Sequence, residues 1–438
     1  MRFSTSAYSA VVLLGLAALP ARAQNAALNA RIAQLATQEE SKVIAWRRDL
    51  HEHPELGNEE TRTAGIIAAH LKKLGIEVQT GVARTGVVGI LRGGKPGPVV
   101  ALRADMDGLP IKETNDLPFA SKATATYLGQ PVGVMHACGH DTHVAMLMGA
   151  AEVLSQVKKD LPGTVKFIFQ PAEEGSLPGV EGGAKLMVKE GVMDKPKVDA
   201  VFGIHINAQT EIGNLAYRPG GIMASSDRFT IKVSGKGAHG AYPWNSVDPV
   251  VTAAQIILGL QTIVSRQVKL IDNAAVVTVG TINAGVRYNV IPPDVEMSGT
   301  IRALDAEVQK QIWASIKRIA TNIAESAGAT AEVTIDPYVP VTSNDAALTA
   351  KMLPTLQAVA GVGHVREIKA VTGAEDFAYY QEKVPGVFLF VGGMKKGQDP
   401  ATAADHHTAG FRIDEGGLTL GVKTLATLAA DYLTAKKP

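Results

Sequence analysis

Val144 to Gln170 reads VAMLMGAAEVLSQVKKDLPGTVKFIFQ. Val144 to Val157 is apolar along its length and predicts a helix. Thr164 to Gln170 is dense in Val, Ile and Phe and predicts a strand. A helix feeding a strand through a short Pro-Gly turn is the repeating text of an α/β layer. The text on either side agrees. Ser41 to Leu50 and Thr61 to Leu74 have helical periodicity. Ile76 to Thr80, Val87 to Leu91, Val99 to Arg103 and Ala200 to His205 read as strands. The fold class expected is α/β, with a mostly parallel sheet covered by helices.

The pattern changes after Tyr217. Asp227 to Gly235 alternates as a strand, Asp248 to Val268 has helical spacing, and Ala274 to Ile282 and Asp294 to Leu304 are strands. Asp305 to Ala327 is a second helix and Ala331 to Tyr338 a last strand. The order β-α-β-β-α-β is the ferredoxin-like arrangement. The expected organisation is therefore an α/β domain in two parts, 24–218 and 337–438, interrupted by an inserted ferredoxin-like α+β domain at 219–336.

The chain has 438 residues, 46% of them hydrophobic and 19% charged, which fits a soluble protein of two to three domains. A formal net charge of +1 gives no electrostatic case for nucleic acid or an anionic membrane as partner. Met1 to Ala23 reads as a cleavable export signal: Arg2, a short apolar run from Ala10 to Leu19, and the small-x-small site Ala21-Arg22-Ala23. That run is shorter than the ~20 residues a spanning helix needs, and no later stretch reads as one. The expected location is periplasmic or secreted.

The chemistry gathers at His136-Ala137-Cys138-Gly139-His140-Asp141-Thr142-His143. It holds the chain's one cysteine among three histidines, and thiolate, imidazole and carboxylate are the donors that hold transition metals. Cys138 and His140 are two apart, so they sit in a loop feeding the Val144 helix. A helix N-terminus favours thiolate, so Cys138 should ionise readily there. Gln170-Pro171-Ala172-Glu173-Glu174-Gly175 leaves the next strand, at the end where open α/β sheets bind ligands. One carboxylate can coordinate while its neighbour faces water. His205 ends the Val201 strand, and His406-His407 supplies a late imidazole pair. Together these suffice for two closely spaced metals, with one glutamate left as a base. His239 lies apart, between glycines, in the inserted module.

Motifs along almost the whole chain resemble the dinuclear metallopeptidases of the aminoacylase and glutamate-carboxypeptidase group, in the amidohydrolase branch of hippurate and auxin-conjugate hydrolases. They run from Arg47-Arg48-Asp49-Leu50-His51 through Arg103-Ala104-Asp105-Met106-Asp107, the cysteine cluster, the Glu173-Glu174 turn and Gly237-Ala238-His239. They end with Asn289-Val290-Ile291-Pro292, Gly373-Ala374-Glu375-Asp376-Phe377 and His407. The resemblance implies Cys138, His140, Glu174, His205 and His407 as metal ligands, with Cys138 in place of a bridging carboxylate. It implies Glu173 as general base and His239 as the group that polarises the scissile carbonyl, often across a dimer interface. Asn289 and Arg302 resemble lid residues that contact the substrate carboxylate or oxyanion. Spacing to Phe411 selects His407 over His406, although Thr408-Ala409-Gly410 stands where the family usually has a proline.

The expected function is a metal-dependent amidohydrolase acting on N-acyl amino acids such as hippurate. Two divalent ions are implied; zinc suits the donors, and manganese, nickel and cobalt are alternatives. The resemblance makes 24–218 and 337–438 a catalytic domain and 219–336 a lid or dimerisation domain, and a homodimer or higher homo-oligomer through that lid is expected. The rival readings are a metallo-carboxypeptidase or dipeptidase, and a non-catalytic periplasmic protein that binds metal or peptide.

Overall fold

The computed structural model describes residues 18–177, 179–271 and 273–435. Most of the expected leader lies outside these residues, and its boundary at Ala23 falls inside a helix, Ala18–Gln38. The chain divides into two compact units. One comprises residues 1–217, 347–367 and 383–438; the other comprises 218–346 and 368–382.

The first unit is built on an eight-stranded mixed sheet. From edge to edge its strands are Glu77–Val82, Gly86–Arg92, Pro162–Gln170, Lys95–Asp105, Ala200–Glu211, Gly386–Met394, Leu215–Tyr217 and Val365–Glu367. The central strands pair in parallel: Lys95–Asp105 with Pro162–Gln170 and with Ala200–Glu211, and the latter with Gly386–Met394. Consecutive side chains along them are buried, so both faces are covered and they read as apolar runs rather than as alternation. Phe167, Phe169 and Phe202 are wholly buried, each contributing roughly 1.5–3 kcal/mol by leaving water.

The helix His140–Gln156 is buried on nearly every face, because it lies between the sheet and other helices. Gly149 permits this packing. A Cβ there would stand 2.8 Å from Val43 and 3.0 Å from Val422, side chains of the helices Glu40–Glu52 and Leu418–Ala435.

The second unit holds a four-stranded antiparallel sheet ordered Ala275–Ala284, Asp294–Ala303, Ser226–Ser234, Thr330–Val339. That order is the ferredoxin-like one. Phe229, Ile231 and Val233 alternate inward against the helices Pro249–Thr262 and Ala306–Ser326. Each helix begins at an aspartate. Asp248 accepts the N–H groups of Val250 and Val251, and Asp305 those of Glu307 and Val308. The stretch 368–382 belongs with this unit through main-chain bonds from Val371 to Ile222 and from Ala224 to Gly373.

Two local expectations differ. The helix expected to reach Val268 ends at Thr262 and passes into a π turn, Ile263–Gln267. Pro249–Gln267 also has the length and apolarity of a membrane span, contrary to the sequence reading. It packs Ala253, Ile256, Leu260 and Ile263 into the core of this unit.

Candidate metal centre

The site lies in the first unit, at the C-terminal ends of its parallel strands, where main-chain bonding stops and loops take over. Asp105 ends one strand and pairs in register with Gln170, which ends the next. Asp107 and the Glu173-Glu174 turn follow directly. His205 is placed differently from the expectation: its strand continues to Glu211, so it projects from mid-strand, opposite Phe390.

Cys138 sits two residues before the helix His140–Gln156, with Gly139 between them in the left-handed region at φ 96°. A Cβ at Gly139 would lie 2.4 Å from Ile206, so both backbone and space require glycine. Ala172 and His407 adopt φ values of 50° and 63° without being glycine. Such conformations cost roughly 1–3 kcal/mol each and cluster at functional sites.

Among the described residues, two groups of possible donors share the one thiol. Cys138, His140 and His205 offer atoms within 4.8 Å of one another, and so do Cys138, Glu174 and His407. A third group, His140, Glu173 and Glu174, ties the two together. The Cys138 Sγ stands 3.4 Å from His205 Nε2, and Glu174 Oε1 3.0 Å from His407 Nε2.

The imidazoles are oriented from behind. His205 donates Nδ1–H to the Ile206 carbonyl at 2.6 Å, and His140 donates Nδ1–H to Asp107 at 3.2 Å. Each thereby presents Nε2 to the cluster, the usual arrangement of a metal-binding histidine. His140 Nε2 is buried without a hydrogen-bond partner, while carboxylate oxygens of Asp105, Glu173 and Glu174 each stand 3.9 Å from it. Anionic oxygens and an imidazole nitrogen face one point and stand too far apart to bond one another, so a cation that displaces the ring proton would suit the space between them. The mixed S, N and O donors suit a divalent transition ion.

His406 and His407 part company. His406 donates Nδ1–H to the Cys138 carbonyl at 3.1 Å and accepts the Ala208 N–H at Nε2, 3.2 Å. Its ring is committed to main chain, whereas that of His407 faces Glu174. His143 is likewise committed, donating to Asp105 and accepting the Ile206 N–H at 2.8 Å. His136 is buried with neither ring nitrogen bonded and belongs to none of the donor groups.

The electrostatics are those of an anionic pocket. Burial, then the charges of Glu174, Glu173 and Asp105, raise the Cys138 thiol well above its ordinary value. The ready ionisation expected from the helix N-terminus is overridden. Burial would lower His140, but Asp105 and Asp107 outweigh it and push the ring up to about 10. Burial, aided by His143 and His406, holds His205 well below its ordinary value.

The remaining sequence candidates lie in the second unit. The short strand Ala238–His239 pairs with Val290–Ile291, and the Gly240 N–H donates to the Asn289 carbonyl at 2.8 Å, so His239 and Asn289 share one ladder. The His239 ring is exposed and accepts the Ala241 N–H at 3.0 Å. Arg302 is not on that ladder. It lies in the four-stranded sheet, with Nη1 donating to Ser226 Oγ at 2.5 Å and to the Ile301 carbonyl at 3.1 Å. Asp107 was quoted in a motif and given no role, yet it holds His140 and also accepts the Glu173 and Glu174 N–H groups, each at 3.0 Å. Its signal in the sequence was its place just past a strand end, two residues from a second aspartate.

A family model described as Peptidase family M20/M25/M40 matches residues 101–431. A Saccharolobus solfataricus protein named thermostable carboxypeptidase 2 is 42% identical over 395 residues, 90% of this chain and 96% of that one. A Bacillus subtilis protein named N-acetylcysteine deacetylase is 40% identical over 399 residues, 91% of this chain and 98% of that one. The crystal structure of a Bacillus subtilis protein, described as a dinuclear metal binding peptidase from the M20 family, superposes with a TM-score of 0.76. It is 37% identical, covering 91% of this chain and 99% of that one.

Proposed function

The chain belongs to peptidase family M20/M25/M40 and is a metal-dependent hydrolase of amide bonds; from that premise we propose that it cleaves N-acyl amino acids of the hippurate kind, releasing acid and amino acid. The observation that carries this reading is the single thiol shared by two donor groups, with Glu173 beside them. In it Cys138, His140, His205, Glu174 and His407 would hold two divalent ions, with the thiol common to both donor groups. Divalent ions in such a set lower the pKa of water and polarise a carbonyl; zinc suits the donors, with manganese, nickel and cobalt as alternatives.

Glu173 then takes a proton from the attacking water and delivers it to the leaving amine. A carboxylate beside the ligand Glu174, and assigned as a ligand to neither ion in this reading, suits that task. His239 polarises the scissile carbonyl and steadies the oxyanion, a contribution of about 3–4 kcal/mol for a well-placed donor. Asn289 and Arg302 contact the substrate carboxylate or oxyanion; Arg302 Nη1 donates to Ser226 and to the Ile301 carbonyl.

Glu173→Ala should keep its metal and lose nearly all turnover of hippurate. Full activity in that variant would remove Glu173 from the mechanism. The carboxypeptidase name of the 42% identical relative favours a second reading, cleavage of peptides by the same centre. Hippurate and other N-acyl amino acids assayed beside dipeptides and longer peptides separate the two. A non-catalytic binding role does not fit membership of an enzyme family.

We also infer export, from the leader read in Met1 to Ala23, and self-association through the second unit. Strand Ala275–Ala284 is a sheet edge, and Leu258, Ile271 and Tyr288 are exposed apolar side chains of that unit. Fractionation of cells and sedimentation of the purified protein test these two inferences; an active protein confined to the cytoplasm, or a monomer at all concentrations, refutes them.

A further inference from the structure

The turn that carries Glu173 and Glu174 is held by its main chain. Three successive N–H groups each donate to a carboxylate: Ala172 to Glu60 Oε1 at 2.8 Å, Glu173 to Asp107 Oδ1 and Glu174 to Asp107 Oδ2, each at 3.0 Å. Consecutive amides converging on anions form a nest, which fixes the peptide planes between them. Ala172 is the strained member, in the left-handed region at φ 50°, and an alanine released from its restraint relaxes toward negative φ.

Asp107 also holds His140, so its place is accounted for. That of Glu60 is not. It precedes the helix Thr61–Lys73 without its side chain capping that helix. It is wholly buried, and its oxygens accept from an amide and from the Thr85 hydroxyl at 2.5 Å rather than from a cation. Burial, then the charge of Asp107, raise its carboxyl to about 7. A glutamine or an apolar residue would be cheaper to bury.

We propose that Glu60 is a positioning residue for the Glu173-Glu174 pair, fixing the Ala172 amide so that the turn delivers both glutamates at a set spacing. The role assigned to Glu60 rests on the reading of Glu173 as base and Glu174 as ligand. It acts through reach and shape, because the amide needs an acceptor at one point.

Two variants of the full chain separate shape from charge. Glu60→Gln keeps an acceptor for Ala172 and a group that can donate to Thr85. Glu60→Asp keeps the charge and is one methylene too short. The expected result is that Glu60→Gln stays within about threefold of wild type in kcat and in zinc affinity, measured on apo-protein against a chromophoric chelator. Glu60→Asp should lose about tenfold in kcat with KM little changed, and about tenfold in zinc affinity, as expected when a group supporting a metal ligand is displaced. A role confined to charge gives the reverse order. Glu60→Asp indistinguishable from wild type, or Glu60→Gln as impaired as Glu60→Asp, overturns the proposal. If wild type hydrolyses no N-acyl amino acid, the functional reading fails, and the zinc titration still decides the role of Glu60.

Discussion

Asp107→Asn tests whether the centre depends on support from behind its donors. The wild-type carboxylate accepts the N–H groups of Glu173 and Glu174 at 3.0 Å and His140 Nδ1–H at 3.2 Å. An asparagine oxygen at the Oδ1 position can still serve His140 and Glu173. Its amide nitrogen then faces the Glu174 N–H, donor against donor. One buried donor left unmet costs about 1–3 kcal/mol, relieved only by shifting the turn that carries Glu174. The charge that raises the basicity of His140 is lost as well. Losing an outer partner of a metal ligand typically lowers affinity about 10–100-fold, or about 1.4–2.7 kcal/mol. Two of the five proposed donors are affected, so both ions should bind more weakly. The assay is competition for zinc between apo-protein and a chromophoric chelator at fixed pH, with circular dichroism to confirm the fold. Asp49→Asn, at an exposed carboxylate paired with Arg62, is the control and should change nothing. Unaltered affinity for both ions in Asp107→Asn would refute the reasoning.

Metal binding should expel about two protons at neutral pH, because the raised thiol of Cys138 and the imidazolium of His140, with its pKa of about 10, are both protonated there and must both give up a proton to coordinate. Affinity then rises with pH and falls on acidification; an indicator dye in weak buffer reads the release, Cys138→Ser should remove one proton, and release of less than one sinks the prediction. His407→Ala should weaken one ion by at least tenfold on the scale of a lost ligand, whereas His406→Ala should mainly lower the unfolding temperature, since its ring bonds main chain; metal content and thermal melts compare the two. Asp305→Ala removes the acceptor of two helix N–H groups and should cost about 1 kcal/mol in urea unfolding, with activity unchanged at saturating metal.

The elements legible in the sequence were those with local signatures. Val144 to Gln170 declared a buried helix and strand by composition alone, and the second unit declared itself by alternating strands and helical spacing in the order β-α-β-β-α-β. Cys138, His140, Glu174, His205 and His407 were picked from four separate stretches, and in the structure their donor atoms lie together. What escaped depends on distant partners. Nothing near Glu60 or Asp107 signals that their carboxylates meet the same turn, because side chain to main-chain bonds across the fold leave no period in the sequence. The two adjacent histidines were told apart by spacing to Phe411, and the folded loop adds a physical reason the text lacks: the His406 ring accepts the Ala208 N–H. The thiol ionisation expected at Cys138 failed for the same reason. A local helix effect was outweighed by burial and then by carboxylates arriving from distant parts of the chain.

Every proposed donor atom belongs to the first compact unit, and none to the second. In the reading proposed above, substitutions at Asn289 and Arg302 alter substrate contacts without removing an ion donor, while His239 serves the reaction whatever the substrate. Such a division of labour lets a lineage explore new specificities without passing through metal-free, inactive ancestors. It offers one physical reason why relatives of comparable similarity carry names as different as carboxypeptidase and deacetylase.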